Sequence, residues 1–343
     1  MNRLSPRRLG AIVVLAVVCL FGTCFRMGDG VSRTVRLHGE APRAAKPFVV
    51  AIMALWDEAL TLPLALDSSR RFVDEYFVVH KLGTDNTADV LQACIDKWGL
   101  HVKYLQSNMT LREARLHAMS ATRNYADVFL LQDGDEVMYT EGPTAVGESL
   151  RLLFGAGYDV ISSKMVYLKH NLVSTFKDGY VPGGPGKWGG HPANGIMLIP
   201  HPTIFRNLPE YIMMPESLTE DVPQLPGRRQ LITHEPWKFD VSIKHPLREY
   251  LRAFFYEWSA AGSPGTIEEW AMSHDPRVSA DSAKNPDWTL LDSAQKHVDQ
   301  LATESLMPYK ESEWHPYPES IRIYINAMRL RGYEGGEILS TIT

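Results

Sequence analysis

Short apolar segments alternate with helix-forming segments over residues 48–131, and this alternation constrains the fold more than any other feature of the sequence. The apolar segments have the length and composition of buried strands: 48–53, 72–79, 102–105 and 128–131. Three helical patterns lie between them. The first begins with the acids at 57–58 and runs to 66, the second has an apolar face over 90–98, and the third covers 111–122. Strands joined through helices pair in parallel. The sequence therefore predicts an α/β fold with a doubly wound, mostly parallel, Rossmann-like sheet.

The fourth strand of this series runs directly into the acidic segment Asp133-Gly134-Asp135-Glu136. In an open parallel sheet, ligands bind in the crevice outside the carboxyl ends of the strands. Two carboxylates two residues apart can share a divalent cation whose other ligands are water and phosphate oxygens. The motif is weak by itself, since Asp-x-Asp should occur by chance about once in a chain of this length. An acidic turn is the alternative interpretation.

Composition fits one large globular domain and excludes some classes of function. The chain has 343 residues, a formal net charge of -5 and 45% hydrophobic residues, and no basic excess indicates nucleic-acid binding. Of three cysteines, two lie at positions 19 and 24, so Cys94 has no partner for a disulfide in the remainder. Asn108 begins a glycosylation sequon, which is informative only if the domain faces a secretory lumen.

The amino terminus has the pattern of a membrane signal. Three arginines precede the uncharged segment 9–25, and Arg26 follows it. As a helix this segment would span about 26 Å, slightly less than a hydrocarbon core. A cleavable signal peptide is the alternative, but residues 22–27 lack a clean small-x-small cleavage site. We therefore predict a cytosolic tail (1–8), a signal anchor (9–25) and a stem (26–46), giving a single-pass type II membrane protein.

Residues 48–138 resemble the nucleotide-sugar-binding half of family-2-type glycosyltransferases of the GT-A fold. Five pieces carry the resemblance in order: Asp57-Glu58, Val73-Asp74-Glu75, Gly83-Thr84-Asp85-Asn86-Thr87, Arg112-Glu113-Ala114-Arg115 and the acidic segment 133–136. Their combination is far more specific than any one of them. The chain departs from the family at the end of the second strand, where His80 stands in place of a frequent aspartate.

The resemblance assigns roles in a donor site to residues of these pieces. Glu58 and Asp85 would hold the base and ribose of a sugar nucleotide, and Arg115 would approach its diphosphate. Asp135 would hold a divalent cation, Mn²⁺ or Mg²⁺, with Asp133 beside it in the donor site. Plainer interpretations remain for three of them. Glu58 could be a helix-terminal acid, Asp85 a turn residue, and Arg115 a solvated helix residue.

A glycine-rich segment at 181–190 carries two further candidates, Lys187 and Trp188. Such a segment could close over a sugar donor. It lacks the pattern of a phosphate-binding P-loop. A surface loop with one packed tryptophan is an equally good interpretation.

The segment Thr219-Glu220-Asp221-Val222 is similar to the one that carries the catalytic base in inverting members of the family. Inversion needs a carboxylate that takes the proton from the attacking hydroxyl. Asp221 is the first choice for this base, with Glu220 beside it and Glu216 as the alternative; a solvated acidic loop is the plain interpretation. By the same resemblance His234 would be a further metal ligand, with His245 in reserve, although a lone histidine is as often simply packed.

Together these features predict a GT-A glycosyltransferase domain over 47–260 and a mainly helical extension over 261–343 without an assigned role. The expected reaction is metal-dependent, inverting, non-processive transfer of one sugar from a nucleotide-sugar such as a UDP-sugar to a hydroxyl acceptor on a glycan, protein or lipid. Single transfer is expected because the Gln-x-x-Arg-Trp signature of processive members is absent. A lumen-facing enzyme needs a nucleotide-sugar pool, which favours the Golgi.

Two other functions remain open at this point. One is a catalytically silent, membrane-anchored carbohydrate-binding or scaffold protein of the same fold, which the histidine at position 80 favours. The other is a sugar nucleotidyltransferase, which would normally open with a glycine-rich phosphate loop after the first strand. Residues 53–56 are not such a loop.

Overall fold

A seven-stranded, mostly parallel sheet forms the centre of the protein in a computed structural model. The structure describes residues 46–331 except 82, 84, 141–145, 164, 170, 177–200, 209–211, 214–222, 225–228, 233–237, 263, 277, 279–284, 286 and 311–315. Along the sheet the strands follow the order β12-β6-β9-β4-β1-β2-β3. All neighbours pair in parallel except that β9 is antiparallel to both β4 and β6. The prediction of a mixed α/β fold with a mostly parallel sheet is confirmed.

The strands of the structure have the following bounds. They are β1 (Val49–Leu55), β2 (Glu75–His80), β3 (Val102–Gln106), β4 (Val128–Leu131), β5 (Glu136–Met138), β6 (Val160–Ser163), β7 (Met165–Lys169), β8 (Ser174–Phe176), β9 (His201–Arg206), β10 (Ile212–Met213), β11 (Pro223–Gln224), β12 (Gln230–Ile232), β13 (Lys238–Ser242) and β14 (Leu306–Pro308). The α-helices are α1 (Leu62–Ser69), α2 (Thr87–Trp98), α3 (Leu111–Thr122), α4 (Val146–Gly155), α5 (Pro246–Ala260), α6 (Ile267–His274), α7 (Leu290–Gln300) and α8 (Glu319–Leu330). A π-helical turn, Leu301–Ser305, extends α7.

Strand β1 shows why the sheet is buried on both faces. Its side chains alternate between two cores, with Val49, Ala51, Met53 and Leu55 in one and Val50 and Ile52 in the other. Alternate residues of a strand point to opposite faces, so an uninterrupted apolar run fits a strand covered on both sides. The fully buried strand β4 follows the same rule.

Local signals define the ends of the helices that cover this sheet. Helix α3 begins after Thr110, whose hydroxyl accepts from the backbone N–H of Glu113 while the Glu113 carboxylate accepts from the Thr110 N–H. This capping box satisfies two backbone donors that a helix start leaves open. Helix α2 ends at Gly99, which has a left-handed φ of 63°. Glycine adopts that conformation without steric cost.

Two features of the sheets do not follow from the sequence pattern: the division of one apolar segment between two sheets, and the antiparallel direction of β9. Residues 159–168 have the sequence pattern of a single strand, but two strands lie there: β6 of the central sheet and β7 of a second, three-stranded sheet ordered β5-β13-β7. Both segments are apolar and buried, so periodicity alone does not show where one sheet is left for another. The antiparallel direction of β9 likewise depends on its partners and not on its own residues.

Several helices follow residue 246, and the first of them shares a core with the next two. Tyr250 and Leu251 of α5 pack with Ala271 of α6 and Ala294 of α7. The helices on either side of residue 260 are therefore in contact. The domain limits 47–260 and 261–343 remain a prediction.

The localisation prediction needs correction. Among the described residues, no helix is long and apolar enough to cross a membrane. The finding does not support a single-pass membrane protein. The predicted anchor at 9–25, its tail and its stem up to residue 45 lie outside the described residues.

Candidate active site

Three segments far apart in sequence bring one buried lysine onto two carboxylates. Lys244, between β13 and α5, contacts Glu58, which follows β1, and its Nζ lies 2.7 Å from Oδ2 of Asp135, which follows β4. The Lys244 side chain is 4% exposed, and each carboxylate side chain is 11% exposed. Glu58 and Asp135 come from the carboxyl ends of adjacent parallel strands. The cluster thus lies where an open α/β sheet binds its ligands.

Gly134 allows these two acids to approach each other. A Cβ atom at this position would lie 2.8 Å from Cβ of Glu58 and 2.8 Å from Cδ2 of Leu55. Carbon atoms in contact prefer about 3.5–4.0 Å, so only glycine fits without displacement of its neighbours. The glycine between the two aspartates therefore allows the loop after β4 to pack closely against the loop after β1.

The charges of the cluster follow from burial and from proximity. Burial opposes the charge on Lys244, but the carboxylates of Asp135 and Glu58 outweigh it and raise the pKa of the ammonium. Burial also opposes the charge on Asp135, and there Lys244 prevails and lowers the pKa of the carboxyl. For Glu58 burial dominates and raises the pKa to about 8 despite Lys244. At neutral pH the ammonium therefore neutralises mainly Asp135.

Further charged groups surround this contact. Arg248 and Arg252, one turn apart on α5, interact electrostatically with Glu58 and Asp135 respectively. Burial, reinforced by the charge of Arg252, lowers the pKa of Arg248 to about 10, so its guanidinium stays charged at neutral pH. Asp240 on β13 has a buried Oδ1 with no hydrogen-bond partner among the described residues, and burial together with Asp135 raises the pKa of its carboxyl. The site is rich in both carboxylates and cations.

A second ion pair lies at the start of the acidic segment. Nη2 of Arg115, on α3, donates to Oδ1 of Asp133 at 2.9 Å and to Oδ2 at 3.2 Å. The Arg115 side chain is only 8% exposed, whereas Asp133 retains 31% exposure. Arg115 is therefore not a solvated helix residue; it holds Asp133, which faces the solvent at the sheet edge.

Asp85 bonds to the backbone of the loop that carries Glu58. Its Oδ2 accepts from the N–H of Ala59 at 2.9 Å, and its Oδ1 accepts from the N–H of Thr87 at 2.9 Å. The Thr87 hydroxyl in turn accepts from the N–H of Glu58 at 2.8 Å. Asp57, before Glu58, has a left-handed φ of 56°, which is uncommon for a residue other than glycine. Asp85 thus fixes an unusual turn beside the site.

Trp56, directly after β1, has two cations close to its ring. The Lys81 ammonium lies 4.2 Å from the centre of its ring, and the Arg248 guanidinium lies 3.4 Å from it. Cations over an indole face are attracted by the ring quadrupole. The tryptophan links the end of β1 to α5 and holds two positive groups near Glu58.

The carboxylates suit a divalent cation, although the described residues do not complete its coordination. No group of three His, Cys, Asp or Glu residues in the described part of the chain could hold a metal. However, the Lys244 ammonium already lies as a positive charge between Glu58 and Asp135, and Oδ1 of Asp240 has no partner in the described part of the chain. Hard carboxylate oxygens around a positive charge are the donor set that Mg²⁺ and Mn²⁺ require.

The structure brings together only part of the predicted site. Glu58, Asp85, Asp133 and Asp135 lie at one edge of the sheet with Arg115. Lys187, Trp188, Glu216, Glu220, Asp221 and His234 lie outside the described residues. The reserve histidine His245 is exposed, and its Nδ1 accepts from the N–H of Leu247 at 3.3 Å.

The sequence pattern assigned no role to the three cations of the site. Lys244, Arg248 and Arg252 recur every four residues, which is the signal that could have revealed them. Arg248 and Arg252 lie one turn apart on α5, and Lys244 lies two residues before the helix begins.

Comparison with solved structures gives distant similarities. The chain is similar to Staphylococcus aureus TarS, with 14% identity and a TM-score of 0.39, over 75% of this chain and 44% of TarS. It is also similar to glucosyl-3-phosphoglycerate synthase from Mycobacterium tuberculosis, solved with Mn²⁺ and UDP, with 23% identity and a TM-score of 0.28, over 36% of this chain and 45% of that one. The chain thus spans less than half the length of both proteins. No protein-family model and no curated protein matches it.

Proposed function

We propose that the protein is a glycosyltransferase that moves one sugar from a nucleotide-sugar, a UDP-sugar in our hypothesis, to a hydroxyl acceptor. The reaction is metal-dependent, inverting and non-processive, and Mn²⁺ or Mg²⁺ is the metal. The observation that carries the proposal is the convergence of Glu58 and Asp135 on a single buried positive charge at the carboxyl ends of β1 and β4.

Transfer of a sugar from a nucleotide requires positive charge near the departing diphosphate, and this cluster contains such charge. The leaving group is a nucleoside diphosphate, and the negative charge that develops on it has to be offset. A divalent cation, when bound, supplies part of that positive charge. Asp135 and His234 would hold it, Asp135 from the described cluster and His234 by the family resemblance.

The remaining positive charge comes from the chain itself. Lys244 and Arg248 lie around the cluster, with Arg252 one turn farther along α5. Guanidinium groups match phosphate oxygens in geometry as well as in charge. Buried cations of this kind stabilise a departing diphosphate more strongly than exposed ones, because water screens them less.

The other residues proposed to bind the nucleotide-sugar donor include three at the same edge of the sheet, at the carboxyl ends of the strands. Asp133, oriented by Arg115, is exposed enough to meet a ligand. Glu58 and Asp85 would shape the part that receives base and ribose, Asp85 by fixing the turn through its hydrogen bonds. In the same proposal Lys187 and Trp188 close over the donor.

Acceptor activation needs a base on the opposite side of the sugar. Asp221 takes the proton of the attacking hydroxyl in our proposal, and Glu220 and Glu216 are the neighbouring alternatives. The sugar then leaves the diphosphate as the acceptor oxygen bonds to its anomeric carbon, with inversion at that carbon.

The experiment measures ligand binding to the full chain before any acceptor is known. Thermal unfolding is followed with UDP, GDP and their sugar conjugates, each with and without Mn²⁺. A ligand at a hundred times its dissociation constant stabilises a protein by about 2.7 kcal/mol, which shifts the midpoint measurably. We expect one nucleotide to stabilise the chain only when Mn²⁺ is present, and Asp135→Asn to abolish the shift.

The matched control is Asp96→Asn, an exposed acid near the far end of α2 that should keep the full shift. Release of nucleoside diphosphate from the stabilising sugar conjugate then tests for turnover. If binding occurs without any release, the silent carbohydrate-binding protein is the better description. If no nucleotide shifts the midpoint with or without metal, the proposed function is wrong.

A further inference from the structure

Lys244 holds the place in the acidic cluster that a metal cation would need. Its ammonium contacts Glu58 and Oδ2 of Asp135, while its side chain is 4% exposed. A second cation in direct contact with the same buried carboxylates is disfavoured, because the two positive charges repel each other and each weakens the attraction that holds the other. Metal binding at Asp135 therefore competes with this lysine.

We infer that Lys244 is a tethered counter-ion that a divalent cation displaces from Asp135, which frees its ammonium to bind the diphosphate of the donor. Competition between Lys244 and the metal concerns the chain and the ion alone. Binding of the freed ammonium to a diphosphate rests on the proposed function. The lysine thus has two alternative anionic partners, Asp135 and the diphosphate.

The position of Lys244 in the fold suits such an exchange. It is the second residue after Ser242 at the end of β13, and α5 begins two residues later at Pro246. The backbone on either side is fixed, since the N–H of Val241 donates to the Asp135 carbonyl at 2.7 Å and α5 is packed through Tyr250. A long flexible side chain can then change partners without moving either element.

The surroundings favour departure of the lysine once another cation arrives. Arg248 and Arg252 contribute positive charge to the same cluster. With a divalent ion added, the positive charge around Asp135 exceeds what its acids neutralise. An incoming diphosphate restores the balance, so metal and nucleotide should bind with positive cooperativity.

The test compares Mn²⁺ binding to the wild-type full chain and to Lys244→Met, by titration calorimetry without nucleotide. We expect the variant to bind Mn²⁺ about tenfold more tightly or more, because close buried charge pairs have large coupling energies. With Mn²⁺ saturating, the same variant should bind UDP about tenfold more weakly. An improved metal affinity together with a reduced nucleotide affinity is not expected from general damage to the fold.

Lys169→Met is the matched control. Lys169 is also buried, and its Nζ lies 2.5 Å from Oε2 of Glu249, so its removal likewise takes a directly bonded cation from a buried carboxylate. It makes no described contact with Glu58 or Asp135. Lys169 does interact electrostatically with Asp240 and Arg252 of the site. We therefore expect a smaller change in Mn²⁺ affinity than in Lys244→Met, because Lys169 does not contact the proposed metal ligand Asp135.

A measurement on the wild type keeps the inference testable if Lys244→Met does not fold. Amine acetylation followed by mass spectrometry should label Lys244 slowly in the free protein and faster with Mn²⁺, while labelling of Lys169 stays constant. An unchanged or weaker Mn²⁺ affinity in a folded Lys244→Met, or labelling of Lys244 that Mn²⁺ does not alter, overturns the inference. If Mn²⁺ competes with Lys244 but no nucleotide binds, the proposed function fails and the counter-ion role stands.

Discussion

Replacement of Gly134 by alanine tests whether the contact between the two acidic loops depends on the missing side chain. The added Cβ would lie 2.8 Å from two carbon atoms and 2.9 Å from a third, Cγ of Glu58. These distances are about 0.6–1.2 Å shorter than optimal carbon contacts. Leu55 is 1% exposed and cannot move into solvent, so Glu58 has to shift. Overpacking of this kind costs about 1–3 kcal/mol.

The assay is equilibrium urea unfolding of the full chain, with Gly147→Ala as the matched control. Gly147 lies on α4, and a Cβ there meets nothing within 4 Å. Alanine in a helix is favoured over glycine by up to about 1 kcal/mol, so this control should be neutral or slightly stabilised. The two variants should therefore differ by about 1–4 kcal/mol in the free energy of unfolding. Equal stabilities would refute the steric argument.

Two further perturbations test the surroundings of the site. Asp85→Ala removes acceptors from the backbone N–H groups of Ala59 and Thr87 and should lower the free energy of urea unfolding by about 1–3 kcal/mol; Asp96→Asn should be neutral, and equal effects would contradict the assignment. Burial lowers the pKa of His80, so below pH 6.5 the unfolded chain binds a proton at this residue that the folded chain resists. Stability should therefore fall between pH 7.5 and pH 5.5, and less steeply in His80→Gln when unfolding is measured at both pH values; parallel slopes would argue against a buried neutral histidine.

Much of the central fold was predictable because its elements carry local signals. The predicted helix at 111–122 and strand at 128–131 have the bounds of α3 and β4. The capping pair Thr110 and Glu113 and the uninterrupted apolar run explain the accuracy. By contrast, the helix expected from residue 57 begins only at Leu62, since the acids before it bond to other segments.

The candidate site could be proposed from the sequence only where a family pattern named the residues. That pattern gave Asp135 and Glu58 as candidates but assigned no role to their common partner Lys244, which lies 186 residues from Glu58 in the chain. Hydrophobic periodicity does not reveal a buried charge, because it assigns every lysine to the surface. Arg115 shows the same effect, since its polar character hides an almost complete burial.

The long sequence separation within the cluster has a consequence for how the protein is made. Lys244 follows Asp135 by 109 residues. At a synthesis rate of 5–20 residues per second, about 5–20 s pass between the appearance of the acid and that of its counter-ion. During that interval β1 and β4 can pair, but burying their carboxylates without a cation is unfavourable. We therefore expect the nascent sheet to keep this edge hydrated, or to bind an ion from solution, until Lys244 itself is available.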